Sequence, residues 1–344
     1  MSINSDQKID AVITWVDGND PVHRKKRAEM ACIYNAKQRT SSSLSTAGDE
    51  TRFIDNGELK YCLASIRTFA PWIHKIYLVT DNQVPPFLTP ELRDRYNVEL
   101  VDHTELFRDY NEVLPTFNSR SIESMLWSIE GLSPRFIYFN DDFVLTKPCK
   151  PEHFFQDHTL VLRGKWKRIF KYGKVRQVIN QFVSFLAKSV LGITRSMHHL
   201  LQIRYAQLAG FSTRYFHGYH VPRPINKETL ATFFNEKEEL LKENIQYPFR
   251  NTNQFSSIFL AHHLELKQDR AVTLDPDNEA MMISGETDFQ PFISRKLKKL
   301  ENQEIRFLCL QGYEYLSTPV KQRLHQILVK LLGNHDFLKL ETRK

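Results

Sequence analysis

Two adjacent carboxylates, Asp141 and Asp142, close the run Arg135-Phe136-Ile137-Tyr138-Phe139-Asn140. Like charges this close repel, and a fold that keeps them together compensates with a metal ion, a cationic side chain or a hydrogen-bond donor. Nucleotide-sugar enzymes use such a pair to hold Mg²⁺ or Mn²⁺ against a diphosphate. The competing reading is a helix N-cap, a position that Asn and Asp also favour. His217 and His220 stand three apart in Phe216-His217-Gly218-Tyr219-His220-Val221-Pro222-Arg223-Pro224. Either imidazole can serve as a general base near neutral pH, or be a packed or surface histidine. Arg250, after Pro248-Phe249, can clamp a phosphate with its planar fork or make a salt bridge. Asp17-Gly18-Asn19-Asp20-Pro21 is, in isolation, ordinary turn chemistry.

These groups sit at the ends of recognisable elements. Ile9 to Val16 reads as a buried strand that delivers the Asp17 turn, and a basic helical stretch follows. Thr40 to Glu50 is rich in Ser, Thr and Gly and reads as a mobile loop. Asp55 is a predicted helix N-cap with Glu58 three residues on; Leu59, Leu63 and Ile66 then recur at helical spacing until Pro71. Lys75 to Thr80 and Val98 to Val101 read as strands emptying into Asp81 and Asp102. Ile122 to Ile129 reads as a helix that Gly131 ends with a positive φ. Strands that are apolar along their whole length, alternating with helices, predict an α/β fold: a mostly parallel sheet with helices on both faces. Ligands bind such sheets beyond the carboxyl ends of the strands, so Asp17, Asp81, Asp102 and the Asp141/Asp142 pair are expected to converge on one crevice.

The division expected is an α/β core over residues 1–162, a basic helical insertion over 163–210 with the apolar stripe Val178, Phe182, Phe185 and Leu186, the rest of the catalytic domain over 211–315, and a C-terminal helix over 316–344. Phe216 to Pro224 is too rich in Gly and Pro for a regular element and is expected to be a shaped loop. The last helix is expected to have Thr318 as N-cap, Pro319 in its first turn, Leu324, Ile327, Leu328 and Leu331 on one face, and Gly333 at its end.

The chain has 344 residues, a net charge of +7 and four cysteines, long enough to bury a core without disulfide or metal staples. Arg163, Lys165, Lys167, Arg168, Lys171, Lys174 and Arg176 crowd one stretch, with Trp166, Ile169, Phe170 and Tyr172 between them. That pattern suits an anionic membrane surface or a polyanion, or else a solvated helix face. No apolar run approaches the ~18 residues that span a bilayer, and Met1 to Asp10 lacks the pattern of a signal peptide. A cytoplasmic location is therefore expected, with peripheral contact at the inner face of the membrane if the basic stretch binds lipid, and buried free thiols at Cys32, Cys62, Cys149 and Cys309. The absence of Gly-x-Gly-x-x-Gly, Walker and Gly-x-Ser-x-Gly motifs removes the usual support for dinucleotide oxidoreductase, P-loop kinase and α/β-hydrolase readings. Nucleic acid is not an expected partner.

Ordered blocks of the chain resemble the Stealth family of capsular polysaccharide phosphotransferases, which includes the animal N-acetylglucosamine-1-phosphotransferase. The first block is Ile9-Asp10-Ala11-Val12-Ile13-Thr14-Trp15-Val16-Asp17-Gly18-Asn19-Asp20-Pro21. The second begins at Arg52 and Asp55-Asn56-Gly57-Glu58-Leu59-Lys60-Tyr61. It passes through Lys75-Ile76-Tyr77-Leu78-Val79-Thr80-Asp81 and Leu114-Pro115-Thr116-Phe117-Asn118-Ser119 to Tyr138-Phe139-Asn140-Asp141-Asp142. His220-Val221-Pro222 and Phe249-Arg250 resemble a looser third block. The chain departs from the pattern at Gln254, where the family has Asp, and at Gln311-Gly312, where it has Asn-Asp.

The resemblance implies a fold like that of nucleotide-sugar transferases. It also implies transfer of a sugar 1-phosphate from a nucleotide diphosphate sugar, a UDP-sugar by expectation, to a hydroxyl of a polysaccharide or lipid-linked glycan acceptor, with the nucleoside monophosphate leaving. On that reading His220 is the base, with Arg250, Arg52 and a divalent cation (Mg²⁺ or Mn²⁺) at Asp141 and Asp142 stabilising charge on the phosphates. Asp17, Asn19, Asp55, Asn56, Glu58, Asn118 and Asn140 would contact substrate. Two alternatives stay open: a conventional glycosyltransferase that releases the nucleoside diphosphate, and a non-catalytic polysaccharide- or membrane-binding protein.

Overall fold

The computed structural model describes residues 8–38, 55–169 and 195–338. The predicted loop Thr40 to Glu50, Arg52, the cations Lys171, Lys174 and Arg176, and the stripe Val178, Phe182, Phe185 and Leu186 lie outside the described residues. In chain order the first elements are β1 (Ile9–Thr14), α1 (Pro21–Gln38), α2 (Glu58–Phe69), β2 (Ile76–Thr80), α3 (Pro90–Tyr96), β3 (Val98–Asp102), α4 (His103–Leu106), α5 (Ser119–Met125) and β4 (Arg135–Asn140). Then come β5 (Phe143–Leu145), β6 (Phe155–Gln156), β7 (Thr159–Arg168), α6 (Arg195–Leu208), β8 (Arg214–Gly218), β9 (Arg223–Asn226), α7 (Lys227–Glu236), α8 (Glu238–Ile245) and α9 (Ser257–Lys267). The chain closes with β10 (Ala271–Leu274), β11 (Ala280–Ser284), α10 (Gln290–Glu301), β12 (Phe307–Gln311) and α11 (Thr318–Leu332).

The central sheet has the order β3-β2-β1-β4-β9. Its first four strands are parallel, and β9 runs antiparallel along β4, with Ile137 opposite Pro224. The strands are apolar throughout because both faces are covered. Ala11 and Ile13 of β1, Leu78 of β2 and Ile137 of β4 point into a core shared with α2, α10 and α11. Their neighbours Val12, Tyr77 and Tyr138 point into a second core shared with α5, α7, α8 and α9. The predicted α/β architecture, with helices on both faces of a mostly parallel sheet, is the one observed.

Several local expectations change. Phe216 to Pro224 is not one irregular loop: β8 and β9 bracket a short connection over residues 219–222. Pro224 is tolerated in a strand because β9 is the sheet edge, where a missing N–H costs no ladder bond. Gly218 is required by crowding, since a Cβ there would lie 2.4 Å from a ring carbon of Phe259. The start of the predicted helical insertion is also a strand. Residues 163–168 form the far half of β7, and 164–168 pair with β8, Trp166 opposite Phe216. Arg163 is buried against Glu279 at 2.5 Å, and Lys165 reaches Asp277 at 2.5 Å and Asp275 at 3.3 Å, so local ion pairing accounts for two of the clustered cations. Tyr205 and Ala206 of α6 sit in the core that contains Tyr138, so this helix packs with the sheet.

Gly131 ends its segment at φ 73, as predicted, although the helix before it finishes at Met125 and gives way to a 3-10 turn. The residue before α11 is Ser317, one earlier than the predicted N-cap, and Gly333 follows the helix at φ 85. Cys62, Cys149 and Cys309 are buried free thiols, whereas Cys32 is exposed on α1. No helix among the described residues is long and apolar enough to cross a membrane.

Candidate active site

A cavity of about 480 Å³ opens beyond the carboxyl ends of β1 and β4, within the size range of small-molecule sites. Thr14, Trp15 and Val16 contribute from β1 and its following turn, and Asn140, Asp141 and Asp142 from the end of β4. His220 and Arg223 enter from the β8–β9 connection and the head of β9, Ser119 from the start of α5, Arg250 from the segment between α8 and α9, and Gln311 from the end of β12. Segments more than 100 residues apart in sequence thus share one wall, because β4 lies between β1 and β9.

The carboxylates form no ion pair among the described residues, although the Arg223 charge acts on Asp142. Asp142 accepts from the Cys309 thiol at 3.4 Å, a contact made by the antiparallel pairing of β5 with β12. Its buried Oδ1 has no hydrogen-bond partner among the described residues. Burial pushes the Asp142 carboxyl up to about 6, against the opposing influences of Cys309 and Arg223. Burial and the neighbouring Asp142 charge push Asp141 well above the usual carboxylate range, and Glu58 and Asp55 add to the effect. Asp142 is therefore no N-cap spending its charge on a helix; β4 is followed directly by β5. An orphaned carboxylate oxygen beside a second raised carboxyl fits a divalent cation. Among the described residues no three carboxylate, imidazole or thiol groups gather at metal-ligating geometry. The pair would accordingly supply only part of a coordination shell, the usual situation for Mg²⁺ shared with substrate phosphates.

Arg250 donates from Nη2 to Ser119 Oγ at 2.6 Å, which fixes one edge of its fork. His220 is exposed at the cavity wall. His217 is not there: it lies on β8, and its Nδ1 is 2.9 Å from Gln202 Nε2 on α6. Of the two imidazoles left open by sequence, only His220 faces the cavity.

Other predicted site residues have local structural tasks. Asp17 accepts from the Asn19 amide at 2.8 Å and exchanges backbone bonds with the Gln83 side chain, while Asn19 is exposed. Asp81 meets Lys26 at 3.3 Å, and Asp102 accepts from the Asn82 and Thr104 amides. All three acids lie on the predicted edge of the sheet. None of them lines the cavity: Asp17 and Asp102 are spent on their own turns, and Asp81 pairs through Oδ1 with Lys26 of α1 while its buried Oδ2 has no partner among the described residues. Asp55 is not the N-cap of α2; that position is Gly57 at φ 89. Asp55 accepts from the Gly57 amide at 3.0 Å, Glu58 accepts from the Asn56 amide at 2.9 Å, and Asn56 reaches Glu314. These residues form an acidic flank near Asp141 and stay outside the cavity lining.

Burial raises Glu58 to about 7. A carboxyl raised in the folded state takes up protons on folding, so it lowers stability as pH rises from about 4.5 towards 7. Glu58→Gln is expected to stabilise the protein by ~1–3 kcal/mol at pH 8 and to have no such effect at pH 4, measured by urea unfolding.

Asn118 is fully buried and caps α5 by accepting from the Arg120 amide; its Nδ2 donates to Tyr247 O and to Gln254 Oε1 at 2.8 Å. Gln254 also accepts from the Asn251 amide and donates to Asn244 O at 2.6 Å and to Ser121 Oγ. Gln254 is thus a buried node that shapes the Arg250 loop. Gln254→Leu leaves several buried groups unpaired and is expected to cost ~2–4 kcal/mol in chemical denaturation.

Several cavity residues had no role assigned from sequence. Arg223 follows His220 by three positions, and the Gly/Pro-rich character of that stretch drew attention only to its histidines. Glu123 accepts from Tyr138 Oη at 3.4 Å and from Ser256 Oγ at 3.1 Å. His103, held neutral by burial that lowers its pKa to about 4, and His23 of α1 also line the cavity. No periodicity marks residues of this kind; they are found only by their shared wall.

Comparison with known proteins agrees with the block order. The model for Stealth protein CR1, conserved region 1, matches residues 7–31, and that for Stealth protein CR2, conserved region 2, matches residues 52–162. The chain is 44% identical over 148 residues to an exopolysaccharide phosphotransferase of Streptomyces coelicolor, covering 43% of this chain but only 25% of that protein. It is 39% identical over 264 residues to the receptor polysaccharide phosphotransferase WefC of Streptococcus oralis, covering 71% of this chain and 74% of the relative. Among solved structures, the galactosyltransferase LgtC superposes with a TM-score of 0.40 at 8% identity, over 95% of this chain and 98% of LgtC. With both conserved regions matched in order and the greater part of a streptococcal relative covered at this identity, the chain belongs to the Stealth family.

Proposed function

We propose that this protein transfers a sugar 1-phosphate from a nucleotide diphosphate sugar to a hydroxyl of a cell-surface polysaccharide acceptor, releasing the nucleoside monophosphate. The observation that carries the reading is the meeting of His220, Arg250 and the Asp141/Asp142 pair around one cavity at the carboxyl edge of the sheet. The names of the Streptomyces and Streptococcus relatives support the same class of reaction.

The acceptor oxygen attacks the phosphorus bonded to the sugar oxygen, and the bond from that phosphorus to the bridging oxygen of the diphosphate breaks. His220 takes the proton from the attacking hydroxyl. Arg250, braced by Ser119, sets its positive charge against the phosphate oxygens as charge shifts towards the leaving group. Asp141 and Asp142 would hold a Mg²⁺ or Mn²⁺ ion, which supplies positive charge to the diphosphate when bound. Asn140 lines the cavity beside them, and on this reading it contacts the donor. Asn118 shapes the Arg250 loop through Gln254, and Asp55 and Glu58 lie near enough to Asp141 for their charges to act on it.

The test is the identity of the released nucleotide. Purified protein with candidate UDP-sugars, Mg²⁺ and a glycan acceptor should produce UMP and a phosphodiester product. Release of UDP instead would identify attack at the anomeric carbon and overturn the phosphoryl-transfer reading.

A further inference from the structure

Arg223 heads β9 at the cavity wall and is only 8% exposed. Its guanidinium is packed against three rings, with centroids 5.0 Å away at Phe259, 5.2 Å at Phe143 and 6.0 Å at Tyr138. Among the described residues it makes no ion pair, and its buried Nε has no hydrogen-bond partner. A guanidinium carries five donors and a permanent charge. Ring faces offset part of the cost of burying that charge, but they satisfy no N–H in its plane. Asp142, the facing acid, leaves its own Oδ1 unpartnered rather than bonding to Arg223. The two opposite charges share one cavity, and neither Arg223 Nε nor Asp142 Oδ1 is spent on the other. Such an arrangement suits a ligand that brings both an anion for the arginine and a cation for the aspartate.

We propose that Arg223 is a phosphate-binding residue of this cavity, receiving diphosphate oxygens alongside Arg250. The naming of the anion as a diphosphate rests on the transferase reading above. The aromatic walls hold the fork in one orientation, so little side-chain entropy is lost when two phosphate oxygens dock on it. A purely structural Arg223 would pack the rings and moderate the charge of Asp142 without touching substrate.

Inorganic pyrophosphate separates the two roles, because its binding needs no turnover. Titration calorimetry of the full chain, with and without Mg²⁺, should show pyrophosphate binding that weakens by about tenfold or more in Arg223→Gln. Arg223→Lys retains the charge but loses the fork, and should weaken binding by about threefold or more. Circular dichroism and thermal unfolding report whether each variant is folded; if the Gln variant is not, the Lys variant decides. Pyrophosphate affinities within about twofold of wild type in the folded variants would overturn the proposal, as would absence of pyrophosphate binding by the wild-type chain. Release of UDP in the nucleotide assay removes the phosphoryl-transfer reading and leaves this result standing. Loss of the Arg223 dependence with UMP still released removes only the role of Arg223.

Discussion

His220→Ala is expected to lower the rate of sugar-phosphate transfer by ~10²–10⁴-fold while donor affinity stays largely unchanged. The reasoning is geometric. His220 is exposed at the cavity wall, on the short connection between β8 and β9, so its imidazole can reach an acceptor arriving from solvent. It buries little surface, and its loss should leave the fold intact. His217→Ala is the matched control: that ring sits on β8 against Gln202 and does not line the cavity, so its loss should leave the rate near wild type. Single-turnover kinetics with a fixed UDP-sugar would separate chemistry from binding. A His220→Ala enzyme with near-normal turnover would remove this residue from proton transfer.

The second large effect is expected at Asp142. Asp142→Asn should reduce transfer by ~10²–10³-fold, because the carboxylate oxygen suited to the cation is replaced by a neutral amide. The same change should abolish Mg²⁺-dependent stabilisation. In wild type, Asp142 is raised to about 6 and Asp141 well above its ordinary value, so the folded pair holds protons that the unfolded chain has released. Stability without metal therefore falls as pH rises from about 4 through about 6, where Asp142 ionises in the fold. Cation binding requires the ionised pair, so Mg²⁺ should raise the melting temperature at pH 8 and do little at pH 5. Differential scanning calorimetry of both proteins, with and without Mg²⁺ at the two pH values, checks each part. An equal Mg²⁺ response in Asp142→Asn and wild type would show that the ion binds elsewhere.

How much of this was legible beforehand depends on how local the cause is. Ile9 to Thr14, Ile76 to Thr80 and Arg135 to Asn140 read as parallel strands because an apolar run covered on both faces is a property of the run itself. The Asp141/Asp142 pair was likewise visible, since adjacent like charges need compensation wherever they fall. The same reasoning overreached at Asp17, Asp81 and Asp102. Strand order does bring Asp81 and Asp102 to the same edge, but Asp102 is spent on the Asn82 and Thr104 amides and Asp81 pairs with Lys26, so neither carboxylate lines the cavity. The Gly- and Pro-rich stretch before Ile225 was misread as wholly irregular. Its composition shows what each residue prefers, not that β9 lies at an edge where Pro224 is tolerated, nor that Phe259 crowds Gly218.

The sequence by itself determined the α/β class, the acidic turn after β4 and the order of the Stealth blocks, because periodicity, adjacent charge and block order are all encoded along the chain. Tertiary structure alone put His220 and not His217 at the cavity, brought Arg250 to the same cavity, turned Gln254 into a buried hydrogen-bond node, and left Arg223 among three rings with its Nε unpartnered. Those outcomes depend on which strands become neighbours and which side chains find partners across more than 100 residues of chain, and a pairing at that range leaves no mark on either residue alone.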